Sequence, residues 1–201
     1  MPAGNAMLIS IAPTSLGATV RKLASLVGPD GAVQGLNGRG AGEGVATLAG
    51  GSIAQAVGSF TYVPNADGSV TPDPRWVEGY IRTQEVPILG AVRCNKAMLP
   101  QLRAALEDVV ASGFAASIHS SEYGGCYVPR FIANDGARGL SLHTWGLAID
   151  LNVPGNQRGT AGTMDPEVVK IFTHWGFAWG GTWRDPDPMH FELARIVTVG
   201  R

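Results

Sequence analysis

The chain has little sulfur, little imidazole and little charge. Its 201 residues include only two cysteines and four histidines. Cys94 and Cys126 lack any CxxC or Cys-His spacing and so make poor zinc ligands. They form either a disulfide, which suits an oxidising compartment, or two unrelated buried thiols. Only 15 % of residues are charged and the formal net charge is -1. Without a Lys/Arg block, the sequence offers no footprint for nucleic acid or an anionic membrane. No apolar run approaches the ~18 residues needed to span a bilayer. The first ten residues lack the basic start and apolar core of a secretory signal. Export is therefore expected to rest on a leader outside this sequence or on another route. Repeats and low-complexity tracts are absent too. The glycine clusters Gly38-Arg-Gly-Ala-Gly-Glu-Gly44 and Gly50-Gly-Ser are not followed by Gly-Lys-Ser/Thr, so they read as flexible loops rather than phosphate loops.

What is present suits one well-buried domain with an appendage. The composition is 45 % apolar, with 28 glycines and 13 prolines marking many turns. Residues 1–60 read as a Gly/Ala-rich extension with one helix, Ser15 to Val27. There Leu16, Val20, Leu23 and Val27 share a face, and Gly28 ends the helix. Residues 61–201 read as the catalytic unit. A strand beginning near Ser59 enters a turn at Asp67-Gly68. A helix starts at Pro100 and stops at Gly113. Ala116 to Tyr123 is expected to be extended. A further helix takes Asp165 as cap and Pro166 as first residue, burying Val168, Ile171, Phe172 and Trp175. Gly146 to Val153 and Met189 to Leu193 alternate as strands. The fold class expected is α+β with a small, mostly antiparallel sheet and flanking helices.

Those two strands carry the chemistry. Alternation sets Asp150 opposite the apolar face of Leu147, Ile149 and Leu151, and His190 and Glu192 opposite Met189, Phe191 and Leu193. His143 lies on the loop entering the first strand. A buried carboxylate needs a cation or donors. One divalent ion shared by His143, Asp150 and His190 accounts for all three residues, and two His plus one carboxylate is the ligand set of an open catalytic zinc site. Asp187, in Asp187-Pro-Met-His190, is the candidate general base, and its proline favours an extended loop beside the metal. Asp185 is its competitor. Glu192 shares a face with His190 and is a candidate to orient that imidazole. Arg130 is a candidate to bind a substrate carboxylate or stabilise an oxyanion, with Arg138 as competitor. Trp145, Trp179 and Trp183 are candidate cleft walls, Trp145 being taken as substrate-binding. His119 and His174 read as structural. The same ligand trio makes the facial triad of iron oxygenases, but there the first His and the acid usually stand one residue apart, not six as here. A zinc-retaining module without turnover is a second alternative.

Ser141-x-His143-x-x-Gly146-x-Ala148-x-Asp150 and Asp187-x-x-His190-Phe-Glu192 resemble the zinc D-Ala-D-Ala carboxypeptidase and L-alanyl-D-glutamate endopeptidase family of peptidoglycan hydrolases. Cys126-x-x-x-Arg130 and Gly176-Phe-Ala-Trp-Gly-Gly-x-Trp183 also match, and the resemblance runs from about Trp76 to Leu193. It implies zinc on His143, Asp150 and His190, with Asp187 as base. It also implies Arg130 on the substrate carboxylate or carbonyl and Ser141 positioning the substrate. Carboxypeptidase and dipeptidase branches commonly have Glu where Asp187 stands, so the Asp form resembles the endopeptidase branch, which includes phage and bacterial lysins. The implied fold is that shared with the hedgehog signalling domain. The implied partners are peptidoglycan stem peptides, met in the extracellular or periplasmic cell-wall space. Oligomeric state is left open, with a monomer as default.

Overall fold

The computed structural model describes residues 43–197. The helix expected at Ser15 to Val27 lies outside the described residues. In chain order the elements are β1 (Gly44–Ala46), α1 (Ser52–Val57), β2 (Phe60–Pro64), β3 (Val70–Pro72), α2 (Pro74–Tyr80), β4 (Ile81–Val86), β5 (Gly90–Asn95), α3 (Leu99–Ala111), β6 (Ala148–Asp150), α4 (Pro166–His174), β7 (Phe177–Trp179) and β8 (His190–Leu193), with short 3-10 turns between them. This is an α+β protein. Among the described residues the strands form three small sheets rather than one: β1-β2-β3, β4-β5 and β6-β8-β7. Every strand pair is antiparallel.

Local chemistry explains several boundaries. The Asp165 carboxylate accepts from the Glu167 amide at 2.9 Å, and Pro166 follows it, so α4 starts where a capped helix should. Val168 and Phe172 are buried, while Ile171 and Trp175 are only partly so. The turn between β2 and β3 is closed by Asp67, whose carboxylate accepts from the Ser69 amide at 2.9 Å, while Gly68 takes φ 82°. Ala116 to Tyr123 is not extended. It forms two 3-10 turns, Ala115–Ser117 and Ser120–Glu122. The Asn152 side chain satisfies this segment instead of a partner strand: its oxygen accepts from the His119 amide at 2.8 Å, and its nitrogen donates to the Ser117 carbonyl at 2.7 Å.

Gly44 pairs with Tyr62, and Ala46, Leu48 and Val57 are buried in the same core as the later elements. Residues 44–57 thus add an edge strand and a short helix to that core, ahead of the boundary expected near residue 60. The third sheet, β6-β8-β7, matters most for function. Its apolar face is backed by α4: Phe172 stacks within 5.3 Å of Phe177 and 4.7 Å of Phe191, centroid to centroid. Its other face is left for polar side chains. The two cysteines form a disulfide between β5 and the loop before β6. Closing a loop of 32 residues in the denatured chain stabilises the fold by about 3–4 kcal/mol in the chain-entropy account.

Candidate metal centre

Strand register brings the first two candidate ligands together. Asp150 on β6 is the direct cross-strand partner of His190 on β8, so their side chains leave the same face side by side. The strand expected over Gly146 to Val153 is shorter, Ala148–Asp150. Gly146 (φ 65°) precedes it and Asn152 (φ 50°) follows it, both left-handed. At Gly146 a Cβ would lie 2.8 Å from the Asn95 backbone nitrogen, so only glycine fits there. This reversal lets the 3-10 turn Leu142–Trp145 fold back and aim His143 at the strand pair. The Ser141 hydroxyl accepts from the His143 amide and caps that turn. The Asn95 side chain donates to the Trp145 carbonyl at 3.0 Å and holds the turn against β5.

The three ligand residues form a triangle, with one Asp150 oxygen beside each ring. His143 Nε2 stands 3.2 Å from His190 Nδ1 and 3.2 Å from Asp150 Oδ2, and His190 Nδ1 stands 3.1 Å from Asp150 Oδ1. Ligands about 2.0–2.1 Å from a tetrahedral zinc lie about 3.3 Å from one another. The outer faces of the rings decide what fills the triangle. His143 Nδ1 donates to the Cys126 carbonyl at 2.9 Å, and His190 Nε2 donates to the Glu192 carboxylate at 3.2 Å. Each neutral ring therefore turns a lone pair inward, toward the other ring and a carboxylate. Three electron pairs converge in a buried space, and only a cation or a proton relieves their repulsion. These residues fit a divalent metal.

Burial works against a charged His190, but the hydrogen bonds to Asp150 and Glu192 outweigh it and raise the imidazole to about 9. Burial likewise disfavours the Asp150 anion, yet the neighbouring His143 and His190 imidazoles hold its carboxyl well below the usual range. Burial and the nearby Asp150 charge push the Tyr123 phenol up to about 12. Glu192 is packed between two small neighbours, with Ala148 and Ala178 as its cross-strand partners, which leaves its carboxylate room beside His190.

A cleft opens beside the triangle, walled by Arg130, Ser141, Trp183, Asp187, His190 and Glu192. Asp187 is buried, and its Oδ1 has no hydrogen-bond partner among the described residues. Its amide donates to the Gly180 carbonyl at 2.9 Å and its carbonyl accepts from the His190 amide at 3.0 Å, so its backbone is pinned next to the ligand strand. Burial pushes the Asp187 carboxyl up, against the pull of His190. Asp185 is exposed and paired with Arg158 at 2.8 Å, and it does not itself line the cleft. Arg138 lies exposed in the turn after Asp135 and does not line the cleft. Trp145 is a correction. It is fully buried and packs its ring 5.4 Å from Phe60, so it touches no substrate; the aromatic wall is Trp183, 5.3 Å from the His190 ring. Trp179 instead donates to the Pro188 carbonyl at 2.8 Å and steadies the Asp187 loop. His119 pairs with Glu122, and His174 sits exposed at the end of α4.

Three contributors escape a reading of the sequence. Thr144 both donates to the Arg130 carbonyl (2.9 Å) and accepts from its amide (3.0 Å), tying Arg130 to the turn that carries His143. The Cys126 carbonyl fixes the His143 tautomer, and no side-chain pattern reports a backbone oxygen. Arg158 lines the cleft from a loop distant in sequence.

Residues 134–193 match the family model of D-alanyl-D-alanine carboxypeptidase. The matched stretch contains all three ligand candidates and Asp187, and begins after Arg130. No curated protein and no solved structure matches the chain.

Proposed function

We propose that the chain is a zinc-dependent peptidase that hydrolyses peptide bonds in the stem peptides of bacterial peptidoglycan. The observation that carries this reading is the triangle of His143 Nε2, Asp150 and His190 Nδ1, whose inward electron pairs call for a cation. The family match supports the substrate class. Residues 61–201 form the catalytic unit on this reading, in a hedgehog/DD-peptidase-like arrangement. The disulfide suits the oxidising cell-wall space, and among the described residues no helix is long and apolar enough to cross a membrane.

A zinc ion held by His143, Asp150 and His190 supplies Lewis acidity, which brings the pKa of water toward ~7 and polarises a carbonyl. Asp187, which lines the cleft and whose buried Oδ1 has no partner among the described residues, takes the proton of the attacking water and returns it to the departing amine. The guanidinium of Arg130 pairs with a carboxylate or carbonyl of the stem peptide. Ser141 accepts from the His143 amide and keeps its O–H for the substrate. Trp183 supplies a flat wall against the peptide beside His190. The unpartnered Asp187 carboxylate favours turnover over a binding module: a protein that only held zinc would bury it at a cost with nothing gained.

Mass spectrometry of muropeptides digested with zinc-loaded protein tests the reading. Loss of a terminal D-Ala identifies a carboxypeptidase, and release of the stem from its first L-Ala identifies an endopeptidase. An intact digest at saturating zinc refutes the proposal. A narrower expectation concerns Glu192, which holds the outer nitrogen of His190. Glu192→Ala is expected to weaken zinc binding 10- to 100-fold, the usual cost of losing a group that orients a ligand imidazole, as read by competition with a chromogenic chelator.

A further inference from the structure

The cleft contains a second guanidinium. Arg158, in the loop between β6 and α4, lines it together with Arg130, Trp183, Asp187 and Glu192. This loop is fastened to the loop that carries Asp187 at several points: the Gly159 amide donates to the Pro186 carbonyl at 2.7 Å, and the Met189 amide donates to the Asn156 carbonyl at 3.1 Å. Arg158 Nε and Nη2 both donate to one oxygen, Asp185 Oδ2, at 2.9 and 2.8 Å. Among the described residues no partner takes Nη1, so one edge of the planar fork is uncommitted. Asp185 is largely exposed, with its side chain 60 % accessible, and such a pair holds the arginine only weakly.

Charge balance says what this edge is for. The two arginines offset the Asp187 and Glu192 carboxylates that share the cleft, and Asp185, exposed and outside the lining, offsets Arg158 only in part. A divalent ion on two neutral imidazoles and one carboxylate leaves a net positive charge beside them. A cleft so composed favours an anionic peptide, and a guanidinium fork favours a carboxylate over a point-charge ligand. Resting on the peptidase reading above, we propose that Arg158 is a second carboxylate-binding residue, one that grips a free carboxylate of the stem peptide on the Asp187 side of the cleft, with Asp185 positioning it. The peptide is then held by two guanidinium groups reaching it from different loops, Arg130 from before the ligand turn and Arg158 from after β6. A substrate with one carboxylate capped loses one of the two holds.

The test uses the full-length zinc-loaded chain, a stem pentapeptide with free carboxylates, and two forms amidated singly, at the D-Glu carboxylate and at the C-terminus. Wild type is expected to cleave one amidated form about 10- to 100-fold less efficiently than the free acid in a way that Arg158→Gln abolishes. Arg158→Gln should raise KM on the free acid by a similar factor, with kcat within a few-fold and zinc content and Tm unchanged. Arg158→Lys should recover part of the loss, since it restores charge without the fork. If Arg158→Gln keeps the wild-type preference among the three peptides, or lowers all three equally, the carboxylate role is refuted while the peptidase stands. If wild type cleaves none of them, the peptidase reading falls and this inference falls with it.

Discussion

Asp187→Ala is expected to lower kcat on muropeptides by about 10²- to 10⁴-fold, the range that a positioned general base contributes, while zinc content stays at one per chain. The reason is positional. Asp187 sits in the loop pinned to Gly180 and His190, its Oδ1 is buried without a partner among the described residues, and burial holds its carboxyl above the ordinary value. A group so placed costs the fold something and donates nothing to it, so the alanine variant should melt no earlier than wild type. This separates loss of chemistry from loss of structure. Asp185→Ala serves as the control. That residue is exposed and engaged with Arg158, so kcat should stay within a few-fold and any effect should fall on KM. Stopped assays on purified peptidoglycan, with zinc measured in the same samples, check both. Wild-type turnover by Asp187→Ala removes the base assignment.

The second large effect falls on the triangle. His143→Ala and His190→Ala are each expected to weaken zinc binding by about 10²- to 10³-fold. That follows from sharing the ~10–16 kcal/mol of a zinc site among four ligands. Activity should fall to background at stoichiometric zinc. Thermal unfolding gives a readout independent of turnover. At a free zinc concentration 1,000-fold above its dissociation constant, wild type should gain about 4 kcal/mol of stability from binding the folded state alone. Either alanine variant should gain far less at the same concentration. Asp150→Asn keeps the shape of the side chain and removes its charge, and so should lose most of the zinc-induced rise as well. Equal zinc-induced shifts in wild type and all three variants would mean that the ion, if it binds, binds elsewhere.

Much of the local structure was readable before any coordinates. Asp165 before Pro166 set the start of α4, and Asp67-Gly68 set the turn between β2 and β3. These signals act over two or three residues, through a side-chain acceptor or a restricted φ, and need no partner from elsewhere in the chain. The extended reading of Ala116 to Tyr123 failed for the complementary reason. Its His119 amide and Ser117 carbonyl are met by Asn152, more than thirty residues away, and nothing in the segment itself announces that.

The period-2 alternation around Asp150 and His190 determined that both side chains leave the apolar face of their strands, because successive residues of a strand must point to opposite sides. It did not determine that β6 and β8 would pair with those two residues in register, nor that Gly146 would turn His143 back onto them. Those depend on packing β8 against α4 and anchoring the turn to β5, which are whole-molecule events. The same packing sent Trp145 into the core, where an aromatic ring buries the most surface, and drew Arg158 into the cleft. Sequence alone decided which chemical groups were available and which way each strand faced. The tertiary structure decided which of them meet, since distances between residues 40 or more apart are set by the core and not by local backbone preference.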